Sequence, residues 1–123
     1  MGSYWHNVKI GFCPNEKAWR KYLKSINLPA LPYPDSDACV QTFTCGAERS
    51  CLVCVHPKFD RLYRSKHVSV VGLLVHECTH VWQQVLKHIG ETEKPSSEIE
   101  AYNIQYIFQQ IYSAYIRTRI KKR

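Results

Sequence analysis

The chain has 123 residues, a length that suits one compact domain with its own core. Its hydrophobic fraction of 45% is ordinary for a globular protein, and no run of about 18 or more apolar residues is present, which argues against a transmembrane helix. The net charge of +7 comes in part from the basic run Arg117, Arg119, Lys121, Lys122 and Arg123. Such a run permits contact with nucleic acid or an acidic partner. A solvated helix end, where cations suit the dipole, is the favoured reading, because no nucleic-acid-binding motif accompanies the charge.

Residues 1–12 carry no charged n-region, apolar h-region or cleavage site, so no secretory signal and a cytoplasmic location are expected. Residues 5–12 alternate, with Val8, Ile10 and Phe12 on one side, and read as a strand. Pro14 suits a first helical position, and Trp19, Tyr22, Leu23 and Ile26 follow at helical spacing. Pro29, Pro32 and Pro34 make residues 27–37 a loop. Residues 38–44 form a second strand candidate, residues 45–48 a turn, and residues 50–56 an apolar strand closed by Pro57. A long, largely apolar helix is expected over residues 69–89, with Gly90 as its C-terminal cap. A second long helix follows over residues 97–119, with Ala101, Ile104, Phe108, Ile111 and Tyr115 as its core stripe. This order predicts a single α+β domain over residues 1–123. A small antiparallel sheet would pack on two long helices plus one N-terminal helix, with a short basic C-terminal tail.

Six cysteines are present, at positions 13, 39, 45, 51, 54 and 78, and without a signal peptide they are expected to be reduced. Cys51 and Cys54 have C-x-x-C spacing, with Cys39 and Cys45 upstream, as a four-thiolate zinc site would need. A strand there would turn the two side chains to opposite faces, which disfavours that site. Cys78, inside the long helix, reads as a small buried residue.

The chemistry concentrates in His76-Glu77-Cys78-Thr79-His80, an H-E-x-x-H pattern on the apolar helix. Residues four apart share a helix face, so His76 and His80 can aim two imidazoles at one metal ion, with the Glu77 carboxylate beside them as a proton acceptor. A third ligand is needed from elsewhere. The downstream acids are Glu91 and Glu93, after Gly90, and Glu98 and Glu100, at the start of the second long helix. About a stripe centred on Ala101 and Phe108, Glu98 and Glu100 lie roughly 80° to either side, so geometry alone leaves both open. Ser97-x-x-Glu100 has the form of a capping box, which would occupy Glu100 and leave Glu98 freer. His88 falls on another face, His67 precedes the helix, and His56 ends a strand where it could approach the cleft. Trp19 and Trp82 read as packing residues, and Tyr102 more as a packing residue than as an oxyanion donor.

His76-Glu77-x-x-His80 followed by Glu98-Ile99-Glu100-Ala101-Tyr102 resembles the zincins whose third ligand is the glutamate of an E-x-x-A pattern. More narrowly, residues 73–110 resemble small zincin-like predicted metallopeptidases of tailed bacteriophages and prophages. The resemblance implies a zincin-like fold, one Zn2+ held by His76, His80 and Glu98, and Glu77 as general base in peptide-bond hydrolysis. It also implies a peptide or protein substrate, with residues 50–56 as a strand edge that receives it. A phage origin would place the protein in the host cytoplasm or on the virion. The competing expectation is a non-catalytic zincin-fold module, virion-associated or in contact with nucleic acid through the basic end.

Overall fold

The structure is a computed structural model that describes residues 3–5, 7–90 and 97–121. The chain order is β1 (Ser3–Trp5), β2 (Val8–Cys13), α1 (Glu16–Ser25), β3 (Ala38–Cys45), β4 (Glu48–Val55), α2 (Phe59–Ser65), α3 (His67–His88) and α4 (Ser97–Lys121). The single strand expected at residues 5–12 is therefore two. Trp5 pairs with Val8, and Asn7 takes a φ of 64°, a left-handed conformation that asparagine tolerates and that a tight reversal needs.

Helix α1 has defined ends. The Asn15 side chain accepts a hydrogen bond from the Ala18 N–H at 2.9 Å, so the helix is capped by Asn15 and Pro14 precedes the cap instead of opening the helix. At the other end Asn27 has a φ of 60°. The Leu28 N–H donates to the Leu23 carbonyl at 2.9 Å and the Asn27 N–H to the Lys24 carbonyl at 3.1 Å. This Schellman pattern satisfies the last carbonyls just before the proline-rich loop. That loop is pinned rather than loose. The Trp19 indole donates to the Leu31 carbonyl at 2.9 Å, and the Tyr33 hydroxyl donates to the Val55 carbonyl at 2.7 Å.

The sheet order is β1-β2-β4-β3. The β3–β4 pair is an antiparallel hairpin whose two-residue loop begins with Gly46 at φ 61°, the position and sign that a II′-type turn demands of glycine. The β2–β4 pair is parallel, with Val8 opposite Arg49 and Cys13 opposite Cys54. The sheet is thus mixed, not antiparallel as expected. Parallel neighbours need a crossover, and the chain supplies one by returning through α1 and β3 before β4 enters beside β2.

Side chains alternate along β4. Cys51, Val53 and Val55 join a core with α3 and α4, whereas Leu52 and Cys54 join Trp19, Tyr22 and Leu23 of α1. The domain is therefore α+β in three layers, with α1 on one face of the sheet and the long helices on the other. Helix α2 was not anticipated. It is short, and Tyr115 and Arg119 of α4 bind it: the Tyr115 hydroxyl donates to the Phe59 carbonyl at 3.3 Å, and the Arg119 guanidinium lies 3.9 Å over the Tyr63 ring and donates to Asp60 Oδ1 at 3.3 Å. The basic end through Lys121 is accordingly the end of α4 rather than a tail, and Arg119 is packed.

On α4 the buried stripe is Asn103, Ile107, Ile111 and Tyr115, and Ala101 is exposed. Asn103 enters the stripe because its side-chain amide donates to the Ile99 carbonyl at 2.7 Å. Ile107, with no exposed surface, and Tyr102, 66% exposed, sit on different faces of one helix. Ile107→Ala should lower stability by about 2–5 kcal/mol, and Tyr102→Ala by less than about 0.5 kcal/mol. Urea unfolding of both variants checks the assignment; similar losses would refute it.

Candidate metal centre

Helix α3 buries Val70, Leu74, Glu77, Cys78, Val81, Trp82 and Val85. That stripe fixes the rotation of the helix and leaves His76 and His80 on its exposed side. The two rings meet edge to face with centroids 4.8 Å apart, and their Nε2 atoms are 3.2 Å apart. Two nitrogens each about 2.0–2.1 Å from one tetrahedral zinc would be separated by about 3.3–3.4 Å. The imidazoles thus stand close to the spacing of two ligands on one ion.

The tautomer of His80 fits the same role. Its Nδ1 lies 2.9 Å from Gln83 Oε1. With Nδ1 donating to that oxygen, Nε2 keeps the lone pair a metal needs. Glu77 is 4% exposed and sits at the boundary between core and cleft. The cleft has His76, Glu77, His80 and Gln84 on one wall and Ala38, Cys39 and Val40 of β3 on the other. β3 is the outer strand beside β4, with no further strand beyond it among the described residues. The exposed sheet edge at this cleft is therefore β3. Residues 50–56, expected to provide it, belong to β4, which is hydrogen-bonded on both sides.

The four expected site residues are not all brought together. His76, Glu77 and His80 share the cleft; Glu98 is exposed at the start of α4. Among the described residues no group of three or more histidine, cysteine or acidic side chains has the geometry to enclose an ion. Glu91 and Glu93 lie outside the described residues. Ser97 is the first helical residue and not the expected cap, and Glu100 has structural work. Its Oε2 accepts a hydrogen bond from the Trp82 indole at 3.3 Å. Taken about the actual stripe of α4, Glu100 falls near its centre and Glu98 roughly 160° away at about 100° per residue.

The remaining candidates sit elsewhere. His56 Nδ1 accepts from the Lys58 N–H at 3.1 Å, and the His67 ring stands edge-on to Tyr63 at 4.4 Å. Tyr102 is neither packed nor in the cleft. Cys78 is buried, and burial, with the neighbouring Glu77 charge, pushes its thiol up to about 12, so it stays protonated near neutrality. Gln83 and the β3 wall carry no motif in the sequence. Gln83 was accessible in principle, since i and i+3 positions touch on a helix; the β3 wall depends on tertiary packing.

No protein-family model matches the chain, and neither the curated proteins nor the solved structures contain a match. Among the described residues, no helix is long and apolar enough to cross a membrane.

Gln83→Leu should remove the acceptor that fixes the His80 tautomer and weaken zinc binding by about 10–100-fold. Competition against a chromogenic chelator measures this. Unchanged affinity, with unchanged helical circular dichroism, would remove Gln83 from the site.

Proposed function

We propose that the protein is a zinc-dependent metallopeptidase with a zincin-like arrangement. The observation that carries this reading is the convergence of His76 and His80 beside the buried Glu77, opposite the outer strand β3. His76 and His80 would hold the ion. Glu98 is assigned as the third ligand on the strength of the E-x-x-A pattern alone. When bound, zinc supplies Lewis acidity that acidifies water and polarises a carbonyl.

The residues of the chain do the rest. Glu77 accepts a proton from the attacking water and returns it to the leaving amine. Its position at the edge of the core limits its rotamers and keeps the carboxylate within the cleft. Gln83 orients His80. An extended peptide would add to β3 by backbone hydrogen bonds, which fixes its direction across the cleft without demanding a particular side chain.

Glu77→Gln should retain about one equivalent of zinc and cleave a broad peptide library about 10²–10⁴-fold more slowly than wild type. Equally poor cleavage by both proteins, with zinc bound, would remove the hydrolase reading. Zinc titration of Glu98→Gln and Glu100→Gln tests the third ligand separately. Weakened binding only in Glu98→Gln supports the assignment, and wild-type affinity in that variant ends it.

A further inference from the structure

The register of the sheet assembles cysteines that are scattered in the sequence. Cys13 of β2 is opposite Cys54 of β4, and Cys54 is opposite Cys39 of β3 on its other side. Side chains at paired positions point to the same face. The three thiols therefore form a row across three adjacent strands beneath α1. Cys13 and Cys54 are buried at 2% and 1% exposure, and Cys39 packs against the same core while remaining half-buried. Cys51 lies on the other face, in the core with α3.

Cys13, Cys39 and Cys54 share the core on the α1 side of the sheet. The backbone spacing also suits a bridge. The His56 N–H donates to the Asp37 carbonyl at 2.8 Å, so residues 37 and 56 form a hydrogen-bonded pair, and Cys39 with Cys54, the next such pair, does too. Pairs of this kind have Cα atoms about 5.5 Å apart, within the roughly 4.4–6.8 Å that a disulfide spans. Parallel neighbours such as Cys13 and Cys54, about 4.8 Å apart, also fall in that range.

We propose that Cys39 and Cys54 are an oxidation site for hydroperoxides, with Cys13 as a third thiol to which the bridge can pass. Cys39 is the member of the row that solvent reaches. Hydrogen peroxide converts its thiol to a sulfenic acid and releases one water. The Cys54 thiol attacks that sulfur; the S–S bond forms, the S–O bond breaks and a second water leaves. In sum, two thiols and one peroxide give one disulfide and two waters. Cys13 stands opposite Cys54 on the β2 side. Its attack on the Cys54 sulfur forms Cys13–Cys54 and frees Cys39, which takes up the proton that Cys13 gave up.

The test exposes the native protein to hydrogen peroxide, quenches with catalase, alkylates the remaining thiols under denaturing conditions and maps the peptides. Wild type should lose the mass of two hydrogens, reversibly with dithiothreitol, through a bridge containing Cys54. Cys13→Ser should give only Cys39–Cys54, and Cys45→Ser should behave as wild type. Cys54→Ser should form no bridge and leave Cys39 oxidised singly. Because Cys54 is deeply buried, Cys39→Ser provides a second check at a half-buried edge position: it should form no bridge to residue 39 and should slow oxidation of Cys54. Full alkylation of peroxide-treated wild type, a bridge persisting in Cys54→Ser, or oxidation of Cys54 at the wild-type rate in Cys39→Ser would each overturn the proposal.

Discussion

Strand β4 has to satisfy two cores at once. From Cys51 to Val55 every residue is buried, so successive side chains must find partners on opposite faces. Helix α1 covers one face and the α3–α4 pair the other. A strand buried on both sides also needs a neighbour along each edge, because an unpaired buried backbone group costs about 1–3 kcal/mol. β2 and β3 fill those places. The pairing with β2 follows from this demand, since the hairpin with β3 occupies the other edge, and the return of the chain through α1 makes it parallel.

The cleft inherits its geometry from the same constraint. β3 is held in place through its full register with β4. α3 is held through the apolar stripe that packs on Val53 and Val55. Because that stripe takes up one side of α3, the residues at its margin face β3, and Glu77 sits where core and cleft meet. His76 and His80, farther round, reach solvent. A single rotational setting of α3 thus buries the carboxylate and exposes the imidazoles. The i, i+4 spacing then brings the two Nε2 atoms to 3.2 Å without help from any other element.

This locality explains what the sequence discloses. His76, Glu77 and His80 are legible because one helix turn relates them, and the α1 region, the β3–β4 hairpin and both long helices are legible from periodicity and turn residues. Strand pairing is not, because parallel and antiparallel arrangements of β2 and β4 share the same alternation; only the path of the chain through α1 separates them. Helix α2 escaped because seven residues after a proline carry too few turns for a periodic signal. On α4 the expected Ile111 and Tyr115 are buried and Ile104 and Phe108 pack against the core, but the centre of the stripe lies nearer Asn103 and Ile107. Asn103 is polar yet buried, since it bonds its own backbone, and α4 carries apolar residues on both sides of Ile107, so their spacing alone does not fix the centre of the stripe.

The position of that centre decides the standing of the acidic pair. With the stripe on Asn103, Ile107 and Ile111, Glu100 points into the α3–α4 interface and meets Trp82, two residues beyond His80. The Trp82–Glu100 hydrogen bond therefore ties the start of α4 to the helix that carries the histidines, and it sets which side of α4 faces α3. Residues about half a turn away on α4, Glu98 among them, are directed elsewhere by the same contact. A third ligand from α4 therefore has to come from the side of the helix turned away from Trp82, the side on which Glu98 lies. The indole that positions α4 is thus also the constraint that any complete metal centre in this fold must accommodate.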